Sequence, residues 1–402
     1  MADRNAGRRK KGQQESFFDY TLLFIVLFLL GFGLIMLYST SSYEANMDFG
    51  DSAYYLKKQL VATLMGLVLM VIVASIPYHF WERFATLGYL VSAFMILLVL
   101  TPLGYEANGA KRWIRIAGMS LQPAEVAKLA MILFLASLVC KIGKGIRTTK
   151  GFMIMLAAPL PICGEVYLIT KNLSSAIIIF GIAVLMVFVS SPDYKKFVLI
   201  GLAGAAAAAL VVFLIVNAAS SDNMSFRGGR ILAWLDPEAY ADGKGFQTLQ
   251  ALYAIGSGGI WGKGLGQSMQ KLGFLPEAQN DMIFSIICEE LGLFGATTVI
   301  VLFILLIWRF MVIANNAPDL FGAMLVVGVM GHIAIQVILN IAVVTNTIPN
   351  TGISLPFISY GGSSVLFLLI EMGLVLSVGK GIKLKDLQRR TDTFPEKEHI
   401  VE

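Results

Sequence analysis

The sequence predicts an all-α polytopic membrane protein with ten transmembrane helices. Hydrophobic residues make up 57% of the 402 residues, charged residues only 14%, and the mean hydropathy is +0.74, so too little polar surface exists to cover a soluble protein of this length. The apolar residues are grouped in runs of about 18 to 25, the length at which an α-helix crosses a hydrocarbon core. A transmembrane β-barrel would show short alternating segments instead.

Ten runs meet this length, at about 20–38, 60–76, 84–102, 122–140, 152–169, 174–190, 196–217, 283–308, 320–344 and 361–379. Pro159 and Pro161 interrupt the fifth run and predict a kink, because each proline removes a backbone donor. Polar tails at 1–19 and 383–402 flank the ten-helix domain at 20–382. Three cysteines and three histidines are scattered singly, so no disulfide or zinc framework is predicted.

Lysines and arginines in the short connections predict that both termini are cytoplasmic. Basic residues are concentrated in every second connection, at 4–11, 83, 141–150, 195–196, 309 and 380–390. The alternate connections are then extracellular, at 39–59, 103–121, 170–173, 218–282 and 345–360. The segment 218–282, between helices 7 and 8, therefore predicts a large extracellular loop.

Some basic residues lie on the predicted outer side, where the charge rule does not expect them. Among them are Lys111, Arg112 and Arg115 in one loop and Arg227 and Arg230 in the large loop. Guanidinium forks match phosphate oxygens, so these residues predict a pyrophosphate-bearing ligand at the membrane surface. Contact with anionic lipid headgroups is the alternative.

An acid and a base occur within the fourth predicted span. Pro123 suits the first turn of a helix, and Glu125 and Lys128 lie three residues apart on one face, close enough to pair. Charges inside a span are typical of a water-filled cavity or a polar route. A purely structural ion pair, with Trp113 as an interfacial anchor, is the alternative.

The large loop ends at Asp281, at the mouth of the eighth helix. A carboxylate at this position suits a general base or a ligand for a divalent cation. The alternative is a cap for the first N–H groups of the helix. Glu289 and Glu290 lie about two turns deeper, roughly 12 Å along the helix, so we expect them to support the site without touching a ligand.

The segment 349–364 contains too many glycines, prolines and hydroxyl residues to be a helix across lipid. It predicts a loop folded into a protein-lined outer cavity, where its backbone N–H groups face a ligand. The candidate ligand-binding residues are those of its last turn, Ser359, Tyr360, Gly361, Gly362 and Ser363. A plain connector is the alternative.

These motifs together resemble the shape, elongation, division and sporulation (SEDS) family of peptidoglycan polymerases. The resemblance covers about residues 20–382 and rests on the strings NGAKRWI (108–114), QPAEVAK (122–128), NDMIFS (280–285), EELG (289–292) and PNTGISLPFISYGGSS (349–364). Asn108 before the paired basic residues resembles the division branch more than the elongation branch, and the sporulation branch stays open. Two departures are Ala124, where the family often has serine, and 170–175, which lacks the family's frequent Gln-Pro-Asp motif.

The resemblance implies processive joining of lipid II outside the cytoplasmic membrane, with Asp281 matching the family's essential loop acid. Our hypothesis is that Asp281 activates the 4-hydroxyl of the acceptor sugar, directly or through Mg²⁺ or Mn²⁺. The hydroxyl then attacks the anomeric carbon of the donor chain and expels undecaprenyl pyrophosphate with inversion. Arg112, Arg115, Arg227 and Arg230 are the candidates for stabilising the leaving group.

The resemblance also implies partners and a location. We expect lipid II and an undecaprenyl-pyrophosphate-linked glycan strand as ligands, and a class B penicillin-binding protein as transpeptidase partner through helices eight and nine. Other division proteins and membrane lipid are further expected partners, and nucleic acid is not. The expected location is the bacterial cytoplasmic membrane at the division septum.

Two rival functions use the same features. A transporter or lipid II flippase would need polar groups such as Glu125, Lys128 and Glu371 inside the membrane. The long loop and the glycine- and proline-rich motifs all lie on one side, which favours chemistry at a surface. A scaffold that recruits a division enzyme is the other rival.

Overall fold

The computed structural model describes residues 18–107, 110–116, 119–191, 193–217 and 226–382, and most of these residues are helical. The helices are α1 (Tyr20–Phe49), α2 (Tyr54–Ser75), α3 (His79–Glu82), α4 (Ala85–Leu98), α5 (Pro123–Ile142), α6 (Thr149–Ala157), α7 (Leu160–Leu168), α8 (Leu173–Ser190), α9 (Tyr194–Asn217), α10 (Phe226–Leu235), α11 (Phe246–Gly258), α12 (Ile283–Asn316), α13 (Leu320–Val344) and α14 (Gly362–Lys380). Asn108, residues 1–17 of the predicted tail at 1–19, and the predicted tail at 383–402 lie outside the described residues.

The helical membrane class predicted from the sequence is confirmed. Within the described ranges, nine helices or joined helices are long and apolar enough to cross a membrane, and each coincides with a predicted span. The remaining predicted span, 84–102, is the shorter apolar helix α4, which has 14 residues. Single-turn hydrogen bonds extend α4 to Thr101, where the Thr101 amide donates to the Leu98 carbonyl at 3.0 Å.

The helix ends follow local chemistry that the sequence shows. Pro123 is the first residue of α5, as predicted, and the predicted kink is present because α6 ends at Ala157 and α7 begins after Pro159. Asp19 caps α1 by accepting a hydrogen bond from the Leu22 amide at 2.9 Å.

A small sheet, which the sequence analysis did not predict, lies between α4 and α5. Strands β1 (Gly104–Ala107), β2 (Ala110–Ile116) and β3 (Met119–Leu121) pair antiparallel in that order. Ile114 is fully buried and Arg115 is exposed. The alternation of buried and exposed side chains is real, but it extends over too few residues to stand out in the sequence.

The bundle is centred on α5, α13 and α14, which have extensive buried faces, and α2 packs along α14. By contrast, α9 has no buried residue in the part of the chain that the structure describes. The centre of the bundle therefore forms one rigid support beneath the loops, and α9 stands at its edge.

Helix α12 is broken near its start by Gly292, whose φ is 65° and ψ is −164°. The break leaves helical donors and acceptors open, and the segment 258–264 supplies their partners. Lys263 and Gly264 donate their amides to the carbonyls of Glu289 and Glu290, both at 2.9 Å. The end of α11 and the start of α12 are thus joined into one unit.

Residues 345–361 form no helix, yet the segment is packed inside the protein. Ile353, Leu355, Phe357 and Ile358 are all buried. A side chain at Gly33 of α1 would place its Cβ 2.6 Å from the Phe357 carbonyl oxygen, so the close approach requires glycine. The segment therefore fills an opening in the bundle and is not a plain connector.

Candidate active site

Asp281 lies at the end of the large loop, one residue before the N-cap of α12. Only 9% of its surface is exposed, and its Oδ1 atom accepts no hydrogen bond from the described residues. Burial raises the pKa of its carboxyl to about 7, the charge of Glu277 adds to the rise, and Arg230 opposes it. The N-cap residue is Met282, and no side chain caps the helix, so the alternative of Asp281 as a helix cap is wrong.

The backbone around Asp281 is held from below by α13. Asn340, which is fully buried, donates from Nδ2 to the Asp281 carbonyl at 2.8 Å and to the Ile353 carbonyl at 2.6 Å. Gly352 has a φ of 68°, and a Cβ on it would lie 3.7 Å from Asp281 Oδ2. One side chain therefore fixes both the acid and the segment 349–354 beside it.

Among the side chains that the structure describes, Arg230 of α10 is the basic residue whose charge acts on Asp281. Its Nη1 donates to the Asn350 carbonyl at 3.3 Å, and its charge acts on the Asp281 carboxyl. Arg230 and Asn350 also line a cleft of about 250 Å³, together with Gly243, Lys244, Phe246, Gln247, Thr248 and Pro276. The side chain of Arg227, in the same helix, lies outside the described residues.

The predicted pair inside α5 forms. Lys128 Nζ lies 2.9 Å from Glu125 Oε1, with both side chains buried, and it donates to Gln336 Oε1 at 3.4 Å. Gln336 in turn donates to the Ser354 carbonyl at 3.0 Å. The pair is therefore linked to the segment beside Asp281 through one side chain of α13.

The basic residues of the small sheet have other partners. Arg112 donates from Nε to the Thr170 carbonyl at 3.3 Å and from Nη2 to the Lys171 carbonyl at 3.4 Å. The guanidinium of Arg115 stacks over the Tyr105 ring, 4.4 Å from its centroid, and Lys111 is exposed. Arg112 thus bridges two loops, whereas Arg230 belongs to the surroundings of Asp281.

The turn 359–363 connects the acid's loop to α2 and α14. Ser359 Oγ accepts from the Leu355 amide at 2.7 Å, and the Tyr360 amide donates to the Gln279 carbonyl at 2.9 Å. The Gly361 amide donates to Gln59 Oε1 at 3.1 Å. The other two candidate residues of this turn lie at the start of α14. Gly362 is the first residue of the helix, and the buried Ser363 hydroxyl has no partner among the described atoms.

Glu289 and Glu290 bind the loop segment 263–271. Glu289 Oε1 lies 2.7 Å from Lys263 Nζ, and Glu290 Oε1 lies 2.7 Å from Lys271 Nζ. Ser39 of α1 donates to Glu290 at 2.8 Å. These contacts fix the loop and α1 to α12. That the two glutamates support the site without touching a ligand stays a prediction.

Several residues that shape the site were not selected from the sequence. Glu277 acts on the pKa of Asp281, and Asn280 donates to the Glu277 carboxylate. Asn340, which holds the Asp281 carbonyl, is another. A signal existed in α13, where His332, Gln336 and Asn340 recur every fourth residue and so share one face.

The fold and this site define a multi-pass membrane protein with a buried acid and a basic residue where the large loop, α13 and the segment 349–354 meet. The family model described as "Cell cycle protein", for FtsW, RodA and SpoVE, matches residues 20–383. The chain belongs to this family.

Relatives in sequence and in structure agree. Stage V sporulation protein E of Bacillus subtilis is 40% identical, over 90% of this chain and 97% of that protein. A probable peptidoglycan glycosyltransferase FtsW of Trichlorobacter lovleyi is 39% identical, over 92% and 95%. A solved chain described under "structural coordination of polymerization and crosslinking by a peptidoglycan synthase complex" superposes with a TM-score of 0.73 at 28% identity, covering 90% and 98%. RodA of Thermus thermophilus gives 0.63 at 26% identity, covering 90% and 97%.

Proposed function

We propose that this chain is a peptidoglycan glycosyltransferase that polymerises lipid II into β-1,4-linked glycan strands at the outer face of the bacterial cytoplasmic membrane. The observation that carries the proposal is Asp281, a buried carboxyl whose Oδ1 atom has no partner among the described residues and whose pKa is about 7, with Arg230 acting on its charge. A general base works best when its pKa lies near the working pH. The names of the relatives support the same activity.

The proposed step uses these residues directly. Asp281 takes the proton of the acceptor's sugar 4-hydroxyl as the hydroxyl oxygen forms a bond to the anomeric carbon of the donor. The bond from that carbon to the pyrophosphate oxygen breaks, and the linkage changes from α to β. Arg230 stabilises the negative charge that develops on the departing undecaprenyl pyrophosphate. This leaving group needs no second acid to protonate it, unlike a glycosidic oxygen.

A divalent cation, Mg²⁺ or Mn²⁺, fits the site only if the ligand supplies further oxygens. Asp281 Oδ1 is an available carboxylate oxygen, but no group of three or more metal-ligating side chains occurs in the part of the chain that the structure describes. Mg²⁺ is often held by one or two carboxylates together with substrate phosphates. Such an ion would supply charge neutralisation at the pyrophosphate.

We further propose a role in septal wall synthesis with a class B penicillin-binding protein as partner. The relatives named FtsW and the solved chain from a synthase complex support this. Stage V sporulation protein E is equally similar, so a sporulation role with the same chemistry is the alternative.

The test of the activity is polymerisation of lipid II by the purified protein, alone and with its cognate transpeptidase. Glycan strands resolved on a gel are the expected product. A lipid II transporter is the second candidate, favoured by the buried pair of His332 and Glu371, whose Nδ1 and Oε2 atoms lie 2.9 Å apart. Translocation of labelled lipid II across vesicles without any polymer would favour the transporter.

The pH dependence of polymerisation follows from the pKa of Asp281. The base is active when ionised, so kcat/KM should rise with pH through about 7 and then level off. Glu277→Gln removes a negative neighbour and should move the midpoint to lower pH, because the ionised acid is then less disfavoured. A rate that is independent of pH across this range, or a midpoint unmoved in Glu277→Gln, would contradict the assignment.

Loss of the Arg230 charge should slow the chemical step. We expect Arg230→Gln to lower kcat by about 10²-fold, and to move the pH midpoint upward because a positive neighbour of Asp281 is lost. Arg147→Gln is the matched control, since Arg147 is exposed in the connection between α5 and α6. Equal losses of kcat in the two variants would contradict a specific role of Arg230 in stabilising the leaving group.

A further inference from the structure

The segment 258–264, which follows α11 within the large loop, carries exposed apolar side chains that the proposed chemistry does not use. Trp261 is 79% exposed and Ile260 is 64% exposed. The Trp261 ring lies near Phe294 of α12, with 6.4 Å between the ring centroids. An exposed tryptophan outside the membrane spans calls for an explanation, because its large apolar surface is costly in water.

Two contacts between α1 and α12 show how deep this segment lies in the membrane. At the end of the two helices farther from the large loop, Arg309 of α12 pairs with Asp19 of α1 at 2.5 Å. At the other end, Glu290 of α12 accepts from Ser39 of α1 at 2.8 Å. Ser39 is twenty residues from Asp19 along one helix, which corresponds to about 30 Å, the thickness of a hydrocarbon core. The cluster at Glu290 therefore marks the loop-side boundary of the core.

The segment 258–264 reaches below this boundary. The amides of Leu293 and Phe294 donate to the carbonyls of Gly259 and Ile260 at 2.9 and 3.2 Å. Phe294 lies fifteen residues from Arg309 along the part of α12 that follows the break at Gly292, a distance of about 22 Å, so it lies within the roughly 30 Å of the hydrocarbon core. Ile260, and Trp261 next to it, are therefore held at the depth of the lipid chains.

The backbone of this segment meets the condition for lying at that depth. Non-helical backbone is tolerated there only where its polar groups are paired within the protein. The Gly262 amide donates to the Gly258 carbonyl, and the amides of Lys263 and Gly264 donate to Glu289 and Glu290. A Cβ on Gly262 would lie 2.2 Å from the Glu290 carbonyl oxygen, so the close contact with α12 requires glycine.

We propose that the segment 258–264 is a lipid anchor, in which Ile260 and Trp261 insert among the acyl chains of the leaflet on the loop side. Tryptophan is the residue that membrane interfaces favour for this purpose. The anchor fixes the depth of the loop that ends in Asp281, because Glu289 and Glu290 hold both. The proposal is independent of the polymerase activity.

The test measures the quenching of tryptophan fluorescence in the wild-type full chain and in Trp261→Phe. Each protein is reconstituted alone in phosphatidylethanolamine–phosphatidylglycerol vesicles. Some of the lipids carry bromine near the headgroup end of the acyl chain, and iodide is the aqueous quencher. Trp261→Phe should remove part of the bromine-quenchable emission and none of the iodide-quenchable emission. Trp234→Phe is the control, because the Trp234 indole donates to the Asn346 carbonyl at 3.0 Å inside the loop.

Two results would overturn the anchor. One is loss of iodide-quenchable emission in Trp261→Phe with the bromine-quenchable part unchanged, which places Trp261 in water. The other is an iodide-accessible Trp261 that becomes shielded only when a partner protein is added, which makes the patch a protein interface. Because Trp261 is exposed, replacement by phenylalanine should leave the melting temperature unchanged, so the comparison does not depend on a damaged fold.

Discussion

Asp281→Asn should lower the initial rate at which glycan strands form from lipid II by about 10²–10⁴-fold. Asparagine keeps the shape of the side chain but cannot accept the proton of the attacking hydroxyl. The measurement is the rate of polymer formation by the purified variant with its transpeptidase present. Asp236→Asn is the matched control, because Asp236 lies on the same loop, is exposed, and accepts a local hydrogen bond from the Ala239 amide.

The stability of Asp281→Asn separates a catalytic role from a structural one. The pKa of this carboxyl is raised from 3.8 to about 7, so ionisation costs the folded state stability as pH rises from about 4 to 7, and the cost is complete above 7. The neutral amide removes this cost. The variant should therefore melt no lower than the wild type at pH 8, and normal polymerisation or a lower melting temperature would each count against a catalytic base.

Glu290→Gln should give a large loss of stability, about 3–5 kcal/mol. The substitution leaves the charge of Lys271, which is buried beside Ser39, without its partner at 2.7 Å. The measurement is the melting temperature of the purified protein, followed by the fraction that remains monodisperse after heating. A melting temperature equal to that of the wild type would show that the contact contributes little.

A double variant shows whether the loss of stability in Glu290→Gln comes from the unpaired charge of Lys271 or from packing. Lys271→Met with Glu290→Leu removes both charges and should recover most of the stability, since a pair of apolar side chains is often as stable as a buried ion pair. Lys263→Met is the exposed comparison, because Lys263 is one-third exposed and should cost less. If the double variant is as unstable as Glu290→Gln, the loss comes from packing and the charge argument fails.

The sequence predicted most of the fold because membrane helices are local structures. Each span needs a long apolar run, and the hydrogen bonds of a helix are satisfied within the run itself. Pro123 and Pro159 marked helix ends for equally local reasons. The β-sheet at 104–121 was missed because its strands pair with one another through space and are too short to show a clear period.

The site was predicted less completely. Asp281, Glu125 and Lys128 were recognised as charges in unusual places, and the last two do form an ion pair. The candidates Arg112 and Arg230 looked alike in sequence, yet Arg112 contacts the 170–171 loop while Arg230 acts on Asp281. Contacts across more than fifty residues decide which basic residue shares a site with the acid.

The sequence alone therefore determined the membrane class, the position of the large loop and the motif residues, because apolar run length and charge are properties of the chain. Only the tertiary structure decided that Asp281 is not a helix cap, that Asn340 holds it beside Gly352, and that its pKa rises to about 7. The physical reason is that burial and electrostatics depend on which segments meet. Here the meeting of the large loop, α13 and the segment 349–354 removes water from one carboxyl.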